Sequence, residues 1–280
     1  MRASFVFLFL FTALYSYSGN ENWPLGGKQA GMGFTGVTLS DVWSSSYNQA
    51  GLARLTTPTL GLYNENRFLL QATSLKALSF ALPTNEAGAF ALDLSYFGYE
   101  KYNESKVGLA YAMMIGHHFS IGAKVNYLNT HFAEVYGNKG HVVAELGFLA
   151  EPTEHLFIGG HLYNLSRTKL AVYNDERIPS TLSLGLGYRF TEKLYMATEI
   201  EKTFTTKMIY KIGLDYRFMN NLYMRAGATT SPDQLTFGLG YVLKKIKADV
   251  SFSYHQILGI TPHIGIIYNF KYETTANITE

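Results

Sequence analysis

From residue 58 onward the chain alternates between apolar and polar positions. Leu182, Leu184, Leu186, Tyr188 and Phe190 occupy every second place, with Ser183, Gly185, Gly187 and Arg189 between them. The same arrangement returns as Leu235, Phe237, Leu239, Tyr241 and Leu243 against Gln234, Thr236, Gly238 and Gly240, and as Ile264, Ile266, Tyr268 and Phe270. A period of two puts one residue class on each face of a β-strand. The phrase GLGYRF at 185 recurs as GLDYRF at 213, GLGYVL at 238 and GIIYNF at 265, with weaker copies at 145, 108 and 77. With the alternating runs between copies, the pattern predicts fourteen strands: 58–64, 74–82, 87–97, 106–115, 118–129, 141–150, 155–164, 180–190, 193–202, 207–218, 221–229, 233–243, 246–257 and 261–271.

Most of these runs match the roughly 9–11 residues a tilted strand needs to cross a bilayer. Connections after even strands are short, such as TEK, MNN and KK, whereas 130–140 and 164–180 after odd strands are long. An even strand count with short turns at one end and longer loops at the other predicts a 14-stranded antiparallel transmembrane β-barrel. A lipid-facing sheet has to close, because no water pairs its edges. A large soluble β-sandwich is the competing reading, and the many apolar strand faces argue against it.

The parity then assigns a polar lumen: Asp93, Lys124, Asn126, Glu145, Arg189, Glu199, Asp215, Arg217, Arg225, Asp249, His255 and His263. Charges of both signs can pair across a barrel interior, where an apolar core would reject them. The aromatics ending the even strands (Tyr188/Phe190, Tyr216/Phe218, Tyr241, Tyr268/Phe270) are expected to form a girdle at the periplasmic interface.

Residues 1–18, with Arg2 followed by an apolar run from Phe5 to Tyr15, read as a secretory signal peptide. The mature chain then divides into an N-terminal hatch segment, 19–57, the barrel, 58–271, and a periplasmic tail, 272–280. An outer-membrane location with both termini periplasmic follows. The absence of cysteine excludes a disulfide framework and a cysteine-linked lipid, and a net charge of +2 gives no sign of nucleic acid as a partner.

Residues 22–57 do not alternate; they carry glycines, a Ser run and NQAGLA, with a short helix expected around Asp41–Tyr47 capped by Ser40 or Asp41. Met32, Phe34, Val37, Leu39, Val42 and Trp43 argue for burial within the lumen, against the alternative of a disordered periplasmic arm. Here the chain resembles the FadL-like outer-membrane barrels, and within them the PorV/PorQ-type branch of Bacteroidota. The matching positions are Gly31, Met32, Gly33, Phe34, Thr35, Val37, Asp41, Asn48, Ala50, Gly51, Leu52 and Ala53, together with the C-terminal stretch 233–270. The hatch motif comprises Gly31, Met32, Gly33, Asp41, Asn48, Ala50 and Gly51. The chain departs at Gln49, where the family has proline, whose ring would fix the backbone angle.

No catalytic constellation, nucleotide fingerprint or cofactor site is present in the sequence, so no enzyme and no cofactor are expected. A tight LGI loop with Gly259 in the left-handed region would set His255 opposite His263, but no carboxylate or cysteine stands at ligand spacing, and no metal is expected. The resemblance implies an accessory, partner-binding barrel of the type IX secretion system or of a larger outer-membrane complex. Its partners would be outer-membrane lipid, a larger translocon or barrel, and secreted cargo. The alternatives are a FadL-like channel for hydrophobic small molecules and an open diffusion pore.

Overall fold

The structure is a computed structural model that describes residues 22–84, 87–133, 137–169, 177–203 and 207–271. The expected signal peptide 1–18 and tail 272–280 lie outside the described residues. Fourteen antiparallel strands close into one barrel: β1 (Thr59–Asn66), β2 (Ser74–Thr84), β3 (Gly88–Tyr99), β4 (Tyr102–Ile115), β5 (Phe119–Phe132), β6 (Gly137–Thr153), β7 (Leu156–Tyr163), β8 (Thr181–Thr191), β9 (Leu194–Thr203), β10 (Ile209–Arg217), β11 (Leu222–Thr230), β12 (Asp233–Leu243), β13 (Ile246–His255) and β14 (Gly259–Asn269). Each strand pairs with its chain neighbours, and β1 closes on β14 from Thr59↔Asn269 to Glu65↔His263. No helix among the described residues is long and apolar enough to cross a membrane; the crossing is made by strands.

Alternate positions point outward and inward as the period of two requires. Leu109, Val125, Leu186, Leu235, Phe237 and Leu239 are more than half exposed on the outer face. Such a surface wrapped around the whole barrel needs hydrocarbon to cover it. At the short-turn end, exposed Tyr188 and Phe190 meet edge to face at 4.8 Å, as do Tyr268 and Phe270 at 5.1 Å. These pairs sit where the girdle is expected.

Two regions depart from the pattern. Much of 130–140, read as a loop, continues the β5–β6 hairpin, with Thr130↔Lys139, His131↔Asn138 and Phe132↔Gly137 in register. Its polar residues on both faces mask the alternation. The second departure is at the last hairpin, where pairing begins directly at His255↔Gly259, so that His263 stands across from Ser251 and not from His255. His255 Nδ1 accepts the amides of Ile257 and Leu258 at 3.1 and 3.2 Å, which fixes a three-residue turn, Gln256–Leu258, two residues earlier than expected. Gly259 does take a positive φ of 89°, but as the first strand residue after that turn.

Residues 22–57 lie inside the barrel and make a circuit of its wall. The segment holds two short helices, α1 (Gly27–Gly31) and α2 (Ser44–Tyr47), and a 3-10 helix (Gln49–Arg54). Helix α2 falls inside the expected span 41–47 but starts three residues later, because Asp41 spends its side chain on the Trp43 amide (2.8 Å) and its own amide on Ser44 Oγ (3.0 Å). Met32, Trp43, Leu52, Gln29 and Gln49 are fully buried against the wall. The barrel therefore has a core, built from its own N-terminal segment.

The recurring glycine of the strand phrase makes room for this core. A Cβ at Gly213 would overlap the Met32 carbonyl oxygen, and one at Gly227 would overlap the backbone of Gly33. Gly33 itself has φ +66°, a region open to glycine at little cost.

Candidate functional site

The N-terminal segment is fastened to the lumen wall by polar groups on three sides. On the β10–β13 side, Arg225 bonds Asp215 (2.9 Å) and Asp249 (2.5 Å), while Lys28 of α1 reaches Asp215 at 2.9 Å. Ser251 Oγ donates to the Gly27 carbonyl (2.6 Å), and Thr236 Oγ1 both accepts from the Gly33 amide and donates to the Gly31 carbonyl. On the β9 side, Glu199 Oε1 accepts the amides of Gly36 and Val37 at 2.5 and 2.6 Å. On the β3–β7 side, Lys124 pairs with Asp93 (2.5 Å) and donates to the Ser45 carbonyl, and Ser45 Oγ donates to Asp93. Glu145 accepts from Asn126 (2.5 Å) and Gln49 (2.6 Å) and meets His161 at 2.9 Å. Charges taken from water are costly unless paired and hydrogen-bonded, and nearly every one here is both.

Sequence parity places all the predicted lumen residues on the inner face, and the structure divides them by task. Asp93, Lys124, Glu145, Glu199, Asp215, Arg225 and Asp249 join the network that holds the segment. Arg189 stands apart at the short-turn end, where it donates to the Glu154 carbonyl and lies over the Phe157 ring, and Arg217 is half-buried at the same end. His255 packs edge-on to Phe68 beneath the last hairpin, and His263 meets Tyr63 (2.8 Å) and Ser253 (3.0 Å). The two imidazoles do not face each other, and the described residues contain no group of three or more His, Cys, Asp or Glu that could hold a metal ion.

In the motif 31–53, Gly31 and Gly33 approach β11–β13, and Asn48 caps the 3-10 helix through the Ala50 amide while donating to the carbonyls of Val37 (2.7 Å) and Phe148 (2.8 Å). Met32, Ala50 and Gly51 are buried. Gln49 donates to Glu145 and to the Ser45 carbonyl, a side-chain anchor at the position where the resembling sequences carry proline. Asp41, at the inner edge of the segment, has its carboxyl pushed above its ordinary value of 3.8 by burial, against the opposing charge of Lys28 and the Trp43 amide.

Above the segment, at the end that carries the 163–181 connection, a cavity of about 500 Å³ remains. That volume is within the range of small-molecule pockets. Phe34, Val37 and Tyr47 of the segment line it from below; Tyr163 and Ile209 contribute apolar wall; Glu65, Arg67, Glu199, Glu201 and Lys211 contribute charge. Arg67 is bonded to Glu65 at 2.5 Å and Lys211 to Glu201 at 2.7 Å. Glu201 and Lys211 continue the parity of Glu199 and Asp215 and were readable from it. Tyr47, in a segment without alternation, carried no such signal.

No protein-family model and no curated protein matches the chain. Solved structures do. The Ralstonia pickettii toluene transporter TbuX superposes with a TM-score of 0.64 at 14% identity, covering 89% of this chain and 98% of that one. The P. putida toluene transporter TodX gives 0.66 at 13%, covering 89% and 99%, and a Pseudomonas aeruginosa FadL homologue 0.63 at 13%, with the same coverage. The chain thus has the fold of the FadL-type membrane barrels. At this identity the likeness speaks for the fold and for no particular substrate or partner.

Proposed function

We propose that the protein is a non-enzymatic outer-membrane channel that admits small hydrophobic molecules, with the N-terminal segment as its hatch. The observation that carries this reading is the cavity of about 500 Å³ above a segment that fills the lumen beneath it. A ligand entering from the long-loop end meets a preformed concave site and then a closed floor. The fold neighbours include toluene transporters and a monoaromatic hydrocarbon channel, which support the reading by analogy.

The accessory role in type IX secretion, or in a larger complex, rests on the resemblance of the C-terminal stretch 233–270 and on the short loops. It needs no cavity, and the fold neighbours named above are transporters and channels, so the channel is the better-supported function. The closed floor also argues against a constitutively open diffusion pore. Expression in a porin-poor outer membrane should speed entry of small neutral aromatics such as toluene or ethylbenzene, and deletion of the gene in the native host should slow it. Unchanged entry in both strains, with a large protein retained through mild-detergent purification, would return the partner-binding reading to first place.

A further inference from the structure

We propose that the cavity selects neutral molecules that combine an apolar body with one hydrogen-bond-accepting oxygen, and that the Tyr47 hydroxyl donates to that oxygen. This rests on the channel reading and narrows its substrate class.

Tyr47 lines the cavity from the hatch side, with its side chain only 7% exposed. Its ring lies so close over Gly36 that a Cβ there would collide with it. The hydroxyl is buried and has no hydrogen-bond partner among the described residues. Nearly all buried polar groups in folded proteins are satisfied; this donor sits on a side chain that lines the cavity, and a turn of the ring that uncovers it lets an occupant's oxygen supply the missing acceptor. Tyr63, also in the lumen, shows the contrast: its hydroxyl is committed to Glu65 and His263.

The charges around the cavity decide what that acceptor can be. Of the lining residues, Glu65, Glu199 and Glu201 are acidic and only Arg67 and Lys211 are permanently cationic. Both cations are already bonded to carboxylates of the lining. Glu199 is held by backbone amides, with no cation in hydrogen-bonding range among the described residues. His161 and His263 are engaged by Glu145, Tyr63 and Ser253. Lys106, close by but outside the lining, points its ammonium at Asn22 (3.4 Å) and the Tyr163 ring. A carboxylate ligand would therefore find three acidic side chains in the lining and both lining cations already committed to two of them, whereas a ketone, ester or ether oxygen asks only for a donor. Phe34, Val37 and Ile209 supply the apolar surface for the rest of the molecule.

The test uses three ligands of similar size, acetophenone, ethylbenzene and benzoate, with the purified full chain and its Tyr47→Phe variant in detergent. Equilibrium dialysis should show acetophenone bound best by the wild type, weakened about five- to tenfold by Tyr47→Phe. Ethylbenzene should bind both proteins alike, and benzoate neither. Because the variant could disturb the hatch, the carbonyl stretch of isotope-labelled acetophenone bound to the wild type is read as well; it should fall below its value in hexane. Equal affinity of acetophenone for the two proteins, with an unshifted carbonyl band, would overturn the role of Tyr47 while leaving the channel standing. Benzoate binding best would overturn the charge argument. Binding of none of the three, together with unchanged uptake in cells, would remove the channel reading and this inference with it.

Discussion

The two halves of the lumen are built from the same strands and differ in what fills them. Toward the short turns, the wall glycines admit backbone, and Met32, Trp43 and Leu52 are wholly buried. Toward the long connection, the same wall carries Thr, Ser, Glu and Lys around open space. Nothing in the strand geometry requires that division. It arises because the N-terminal segment runs around the wall at one level, where the strands offer it glycines, small side chains or hydrogen-bonding groups. In a barrel of this size, closure of the sheet leaves an interior, and a segment of some 35 residues decides which part of it is usable.

The ion-pair cluster on the β10–β13 side is the firmest hold on the packed half. Arg225→Ala would leave Asp215 and Asp249 buried without their shared partner, with Lys28 still bonded to Asp215. Stranding a buried charge in this way costs about 3–5 kcal/mol. The variant should lose the compact, fast-migrating form on unheated gels at a clearly lower temperature than the wild type. Melting at the wild-type temperature would mean that the packed half is held by shape and not by charge.

Gly213→Val tests shape directly. The new side chain would occupy the space of the Met32 carbonyl, so either the segment or β10 must give way. Overpacking of this kind costs about 1–3 kcal/mol. Because the barrel hydrogen bonds are more numerous than those of the segment, the segment should yield, and planar bilayers should show a steady conductance that the wild type lacks. A silent bilayer with unchanged stability would show that the close approach at Gly213 is not what seats the segment.

The contrast between the halves also marks what could be read from the chain. The strands, their inward residues and the closed barrel follow from alternation, because lipid and lumen impose opposite chemistry on neighbouring positions. Glu199 and Arg225 were visible as inward charges, but their bonds to Gly36, Val37, Asp215 and Asp249 were not, since those depend on the level at which the segment crosses each strand. The offset between His255 and His263 was misread because two amides captured by one imidazole moved the turn. Tyr47 is legible only in three dimensions: a tyrosine in a non-repeating segment says nothing until its neighbours are known to leave its hydroxyl alone.

The smallest expected effect is at Asp41, at the inner edge of the packed half. Burial raises its carboxyl above the ordinary 3.8, with Lys28 and the Trp43 amide pulling the other way. A carboxyl whose folded value is raised favours the folded state most below the unfolded value, and that contribution is lost as pH rises through the folded value. Gln29 donates to Asp41 through Nε2 at 2.8 Å, while its buried Oε1 lacks a partner among the described residues. Asp41→Asn keeps an acceptor for the Trp43 amide and, after the Gln29 amide turns over, gives Oε1 a donor. The variant should match the wild type in mildly acidic buffer and exceed it slightly at neutral pH, with a flatter dependence of unfolding temperature on pH between the two. A wild type that becomes steadily more stable on raising the pH over that interval, with Asp41→Asn falling behind it, would show instead that the carboxylate is a net anchor of the segment, working through Lys28.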